Sequence, residues 1–137
     1  MSGLNCRRRN CRRANIDCIL GVNNQTKVIV NSIVKNSAKE SAFFRYNGVL
    51  DYSFYAQAFI SMLFIHASYR RQGVGLALMK HLQESVPPSS KKLFTSTNLS
   101  NLPMQSLLAQ LNFKLSGVIE NLDEGDPELV YFKPLSI

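Results

Sequence analysis

One stretch, residues 59–82, constrains the fold more than any other part of the chain: FISMLFIHASYRRQGVGLALMKHL. The apolar run Phe59–His66 has the length of a buried strand and is followed by a turn. Val74, Leu78 and Leu82 then recur at four-residue spacing, which predicts an amphipathic helix. The stretch therefore predicts a strand, a short turn and a helix, as in an α/β domain.

The turn has the pattern R-x-x-G-x-G, formed by residues 70–75. Glycines remove side chains where main-chain N–H groups approach a ligand, and a helix N-terminus adds unpaired donors and about half a positive charge. Such a loop can hold a pyrophosphate. The chain contains no Gly-Lys-Ser/Thr of a phosphate loop, and Leu78 stands where the dinucleotide fingerprint needs a small residue. From these residues alone, a phosphate site and a plain strand-to-helix turn remain equally open.

Residues 59–82 resemble the acetyl-CoA-binding motif of the GNAT superfamily of N-acetyltransferases, which has an apolar strand, R/Q-x-x-G-x-G/A and an amphipathic helix. Downstream, Ser100-Asn101, an apolar helix and Leu111-Asn112-Phe113 resemble that superfamily's S-N-x…x-L-G-F segment. The tail resembles a bacterial branch of small members. The resemblance implies acetyl-CoA as co-substrate and direct transfer of its acetyl group to a primary amine of a small molecule, peptide or protein.

The resemblance also implies the residues of a site. Main-chain groups of Leu63, Phe64 and Ile65 would pair with the pantetheine arm. The amide of Leu63 would face the thioester carbonyl as an oxyanion donor, a contact worth about 3–4 kcal/mol in the transition state. Asn101 corresponds to an asparagine that contacts the cofactor in many members. The pyrophosphate cradle would consist of Arg70, Arg71, Gln72, Gly73, Val74, Gly75 and Leu76.

The chain departs from the superfamily in its proton carriers. Many members place a tyrosine five residues before the phenylalanine of L-G-F, where this chain has Leu108. Positions at which some members keep a glutamate base are here Phe59 and Ser96. The candidate substitutes are a strand-end histidine, three tyrosines and three carboxylates of the acidic loop: His66, Tyr131, Tyr52, Tyr55, Asp123, Glu124 and Asp126. Strand-end histidines and strand-spaced aromatics are more often structural, and loop carboxylates are more often solvated. Catalysis by positioning alone is a further alternative.

Charge is unevenly distributed in a chain whose formal net charge is +7. Residues 7–13 hold five arginines and no acid, and residues 120–128 hold five acids and no base. The basic segment lacks interleaved aromatics and matches no nucleic-acid motif, which favours a solvated arm over a nucleic-acid contact. The acidic loop favours a cationic amine acceptor. The absent tyrosine motivates a different function, a catalytically inactive acyl-CoA-binding or sensor module.

Length and composition predict one domain spanning residues 1–137, which we expect to be cytoplasmic. Its hydrophobic content of 45% and charged content of 18% are those of a globular chain. No apolar run reaches the roughly 20 residues of a membrane span, and the N-terminus lacks the apolar region of a secretory signal. The spacing of Cys6, Cys11 and Cys18 matches no zinc pattern, so we expect free thiols and no metal. The oligomeric state stays open, with a homodimer among the options.

The predicted fold is GNAT-like: a mixed, mostly antiparallel sheet of six to seven strands with about four helices, in three α-β-α layers. Residues 1–10 are expected to be a disordered arm, and residues 15–37 one or two helices on the acceptor side. Asn47-Gly48 predicts a hairpin turn between strands at 42–46 and 49–55. Further elements are an edge strand at 11–14, strands at 92–97, 113–119 and 129–133, and a helix at 101–111 capped by Ser100.

Overall fold

The structure is a computed structural model that describes residues 17–20, 27–36 and 41–135. The expected arm and the expected strand at 11–14 lie outside these residues. The strands are β1 Asp17–Leu20, β2 Val28–Asn36, β3 Ser41–Phe54, β4 Gln57–Ile65, β5 Lys92–Asn98, β6 Lys114–Ile119 and β7 Glu128–Pro134. The helices are a 3-10 turn at Ala67–Tyr69, α1 at Val74–Glu84 and α2 at Leu102–Gln110.

The strands form a single sheet in the order β1-β2-β3-β4-β5-β7-β6. β4 and β5 run parallel because α1 crosses over between them, and each other neighbouring pair in the described sheet is antiparallel. The predicted mixed, mostly antiparallel GNAT-like sheet is confirmed. The described residues contain two α-helices, fewer than the four expected.

Both helices pack on the same face of the sheet. The β4–α1–β5 and β5–α2–β6 connections cross the sheet in the same direction, and right-handed crossovers then place both helices on one side. Leu78 and Leu82 of α1 and Leu108 of α2 are buried in one apolar cluster with Leu50 and Leu93 of the sheet. The described residues therefore form two layers rather than the predicted three.

The prediction of helices over residues 15–37 is wrong. β1 and β2 pair antiparallel there, with Asp17 opposite Asn31. Within β2, Val28, Val30 and Ser32 are buried and alternate with more exposed residues. This period of two, in a run rich in β-branched side chains, is the pattern of a half-buried strand.

The prediction of a hairpin turn at Asn47-Gly48 is also wrong. Both residues lie inside β3, which runs unbroken for 14 residues. The chain reverses at Tyr55 and Ala56, whose φ angles of 51° and 58° are the positive values that a two-residue hairpin turn requires. Gly48 is instead where α1 lies against the sheet, because a Cβ there would stand 2.9 Å from Leu82 Cδ1.

Gly48→Val is therefore expected to destabilise the protein by about 1–3 kcal/mol, since the side chain must be inserted into a packed core. Gly117→Val is the matched control, because a Cβ on that β6 glycine meets nothing within 4 Å. Chemical denaturation of the two variants measures the difference. Equal free energies of unfolding would show that helix and sheet do not meet at Gly48.

Candidate active site

β4 and β5 are paired over three residue pairs and then separate. The pairs are Ala58 with Leu93, Phe59 with Phe94 and Ile60 with Thr95. At the last pair, Thr95 Oγ1 donates to the carbonyl oxygen of Ile60 at 3.0 Å. Beyond it, β4 continues to Ile65 and β5 to Asn98 with no pairing between them. A gap thus opens in the middle of the sheet.

A cavity of about 160 Å³ occupies this gap. It is bordered by residues 60–63 of β4, residues 95–98 of β5, Asn101 and Met104 at the start of α2, and Glu128 at the start of β7. Of the residues predicted for the site, the cavity includes Leu63 and Asn101.

The main chain of β4 alternates between β3 and the gap. His66 N donates to Arg45 O of β3 at 2.7 Å. Because amides two residues apart point the same way along a strand, the amide of Phe64 also points toward β3. The amides of Leu63 and Ile65 then point toward the gap. Two of the three predicted strand residues, Leu63 and Ile65, thus offer amide donors to a ligand. The amide of Phe64 is directed to the neighbouring strand β3 instead.

The turn after β4 leads into a helix whose first donors are free of helical partners. Gly73 is the N-cap of α1, with φ 77°. A Cβ on it would meet nothing within 4 Å, so the glycine faces open space. The first helical bond is donated by Ala77 N to Gly73 O at 3.1 Å. The amides of residues 74–76 precede it and have no carbonyl one turn back, which is the arrangement that binds anions at helix N-termini.

Gly75 has a different environment. A Cβ there would lie 3.5 Å from Leu107 Cδ2 and 3.9 Å from Ile65 Cγ1. Both distances are ordinary van der Waals contacts, so a methyl group at this position would pack against α2 and β4 without a clash. Its amide still belongs to the first turn of α1, but its Cα hydrogen faces the protein.

Two of the three polar side chains in the turn are engaged with the main chain. Arg70 Nε donates to Ile65 O at 2.9 Å, and Gln72 Nε2 donates to Ser68 O at 3.2 Å. Both bonds hold the turn in shape. Arg71 is exposed and has φ 60°. In contrast to Arg70 and Gln72, its side chain has no hydrogen bond to another described residue.

The cavity does not include the predicted proton carriers His66 and Tyr131. His66 caps the 3-10 turn, where its Nδ1 accepts a hydrogen bond from Ser68 N at 3.1 Å. Tyr131 lies opposite Thr95 in the sheet and packs against the apolar cluster. Leu108, at the position of the superfamily's tyrosine, is 0% exposed.

Asn101 caps α2 in place of the expected Ser100. Its Oδ1 accepts from Met104 N at 3.2 Å, which leaves the side-chain amide nitrogen for another partner. Ser100 N instead donates to Asp126 Oδ1 at 2.9 Å. Asp123 Oδ2 accepts from Asn98 Nδ2 at 2.7 Å. Two carboxylates of the acidic loop therefore fasten that loop to the end of β5 and to the β5–α2 connection.

Ser61, Met104 and Glu128 are among the residues that border the cavity and that sequence reasoning missed. Ser61 lies at a register shift in β4, since Met62 pairs with Val49 and Ile60 pairs with the adjacent Leu50. Such a bulge cannot be read from an apolar run. Glu128 was treated only as part of a charged loop, because its place beside the cavity follows from the pairing of β7 with β5.

In the described part of the chain, no three His, Cys, Asp or Glu side chains gather as metal ligands would. Cys6 and Cys11 lie outside it. None of the helices found there has the length and apolar character needed to cross a membrane.

Comparisons with known proteins agree with this geometry. The chain resembles a GNAT-family acetyltransferase of Bacillus cereus at 30% identity, covering 79% of this chain and 69% of that one with a TM-score of 0.61. It also resembles the ribosomal-protein-S18-alanine N-acetyltransferase of Escherichia coli at 17% identity, 85% and 73% coverage and a TM-score of 0.63.

A Bacillus anthracis protein assigned as a streptothricin acetyltransferase, solved with acetyl coenzyme A, matches at 12% identity, 88% and 84% coverage and a TM-score of 0.62. No curated protein matches the chain. The sequence profile of the acetyltransferase (GNAT) family matches residues 41–113, more than half of the chain. The protein therefore belongs to the GNAT family of acetyltransferases.

Proposed function

We propose that this protein is an N-acetyltransferase that carries an acetyl group from acetyl-CoA directly to a primary amine. The observation that supports it most is the continuity of the site: one segment, residues 61–76, lines the gap in the sheet and then forms the open N-terminus of α1. A ligand with a diphosphate at one end and a thin polar arm at the other fits both parts.

The residues of this segment suit that ligand. The amides of residues 74–76 and the guanidinium of Arg71 would hold the diphosphate, because both supply donors and positive charge. Gly73 leaves their approach open. The amides of Leu63 and Ile65 would bind the arm, with Leu63 as the oxyanion donor. When bound, acetyl-CoA supplies the activated acetyl thioester.

Positioning is the main contribution that these residues make to the reaction. Holding two reactants in line can supply several kcal/mol, up to about 7–11 kcal/mol in ideal systems. The strand edge and the helix N-terminus are both rigid elements, so they can hold the donor in one place. No cysteine lies within residues 59–82, which favours direct attack by the amine over a covalent enzyme intermediate.

A second candidate function is an acyl-CoA-binding or sensor module without turnover. The observation that favours it is the burial of Leu108 at the position of the expected proton donor, with His66 and Tyr131 outside the cavity border. Two of the similar structures are named for different acceptors, the alanine of ribosomal protein S18 and streptothricin, so both kinds of amine are tested below.

Two measurements separate the candidates. Calorimetry with CoA tests binding, and thiol release from acetyl-CoA across a panel of amines tests transfer. The panel contains spermidine, lysine, streptothricin and a peptide with a free N-terminal alanine. Binding with release on at least one amine is the result we expect. Binding without release on any amine would favour the sensor, and failure to bind CoA would overturn both.

A further inference from the structure

Among the described residues that border the cavity, Glu128 alone carries a charged side chain. Its polar companions there, such as Ser61, Ser96 and Thr97, are neutral. Glu128 is partly buried at the first position of β7. No hydrogen bond or ion pair within the described residues engages its carboxylate. A free negative charge at a cavity in an otherwise basic protein is suited to bind a cation.

Strand register shows which side of the cavity Glu128 occupies. It pairs with Asn98 of β5, while Val130 pairs with Ser96. Residues two apart share a face, so Glu128 and Ser96 are diagonal neighbours on one face, about 7–8 Å apart between Cα atoms. Buried Thr97 and Leu129 between them point to the side that carries the helices. Glu128 thus approaches the cavity from the side opposite α1 and α2.

The neighbouring acids do not share this position. Asp126 is bonded to Ser100, and Asp123 is bonded to Asn98. Glu124 is exposed and does not border the cavity. The hydrogen bonds of Asp123 and Asp126 keep the acidic loop in place beside the cavity. Glu128 is the acid of this loop that borders the cavity.

We propose that Glu128 is the general base, receiving the acceptor amine as an ammonium ion and removing its proton directly or through one water. This inference rests on the proposed function and narrows the substrates to cationic amines. The freed nitrogen lone pair forms the N–C bond to the acetyl carbon, and the C–S electron pair leaves on sulfur. The second proton lost by nitrogen passes to the thiolate or to water. Glu128 then releases its proton to solvent.

Glu128→Gln tests the proposal because it removes the charge with little change of shape. Positioned general bases contribute about 10²–10⁴-fold, so kcat/KM for spermidine should fall by about 10²-fold or more. Turnover with hydroxylamine should stay close to that of the parent protein, because this nucleophile is uncharged near neutral pH. Glu124→Gln is the matched control and should change neither rate. Glu128→Asp keeps the charge and should retain part of the spermidine activity.

Calorimetry with CoA on all variants separates this inference from the proposed function. Unchanged CoA affinity with selective loss of spermidine turnover supports the base. The assignment is overturned if Glu128→Gln behaves like Glu124→Gln, or if it loses both acceptors equally. It also fails if the parent protein binds CoA yet acetylates none of the panel amines. Failure of the parent protein to bind CoA would instead overturn the proposed function.

Discussion

Gly73→Trp is expected to weaken CoA binding about a hundredfold or more, a loss of at least about 2.7 kcal/mol. The glycine caps α1 with φ 77° and faces open space, so an indole there would cover the first-turn amides. Isothermal titration with CoA measures the loss. The free energy of unfolding should fall by only about 1–2 kcal/mol, which is the cost of a side chain in left-handed backbone.

Gly125→Trp is the matched control for that strain. Gly125 has φ 73° and open space beyond its Cα, but it lies in the acidic loop between β6 and β7. It should lose similar stability and keep its CoA affinity. If Gly73→Trp bound CoA as tightly as Gly125→Trp, the assignment of the helix N-terminus as the diphosphate site would be wrong.

Leu108→Ala is expected to lower the free energy of unfolding by about 2–5 kcal/mol. The side chain is 0% exposed and belongs to the apolar cluster between the helices and the sheet, so truncation leaves a cavity. Urea denaturation measures the effect. Where the fold survives, the turnover of folded enzyme should change little, because this position has no group that transfers a proton.

Leu102→Ala makes the same substitution at the start of the same helix, where the side chain is 65% exposed. Surface changes of this kind are usually within about 0.5 kcal/mol. A Leu108 variant as stable as the Leu102 variant would show that α2 does not bury Leu108. A selective loss of turnover would give position 108 a part in the chemistry.

The strand–turn–helix unit could be predicted because its signals are local and agree. An apolar run of strand length, a turn with two glycines and leucines at four-residue spacing each indicate one element. The structure places β4 at Gln57–Ile65 and α1 at Val74–Glu84, close to the expected bounds. The amide donors of this unit follow from its backbone, which is why that part of the candidate site could be proposed from the sequence.

Asn47-Gly48 shows where local signals fail. The dipeptide favours a hairpin turn, but the same glycine is needed inside β3 to let Leu82 of α1 reach the sheet. The chain then turns at Tyr55 and Ala56, which have no strong turn preference. Tertiary packing outweighs turn propensity here, and no window of neighbouring residues contains that information.

Glu128 could not be placed for a similar reason. Its relation to the cavity depends on β7 lying between β5 and β6, a strand order that differs from the order in sequence. An acidic residue in a charged loop is usually solvated, so composition indicated a surface role. The register between Asn98 and Glu128 is a long-range fact that needs the folded chain.

The Thr95 hydroxyl donates a hydrogen bond to the Ile60 carbonyl at the last residue pair before β4 and β5 separate. Thr95 is 1% exposed, so water cannot readily compete for that bond. The point at which β4 and β5 separate is therefore fixed by a buried contact within the protein, and a ligand is not needed to separate them. A thioester that enters the gap would therefore find β4 and β5 already separated. Little of its binding free energy would then be needed to order the main chain.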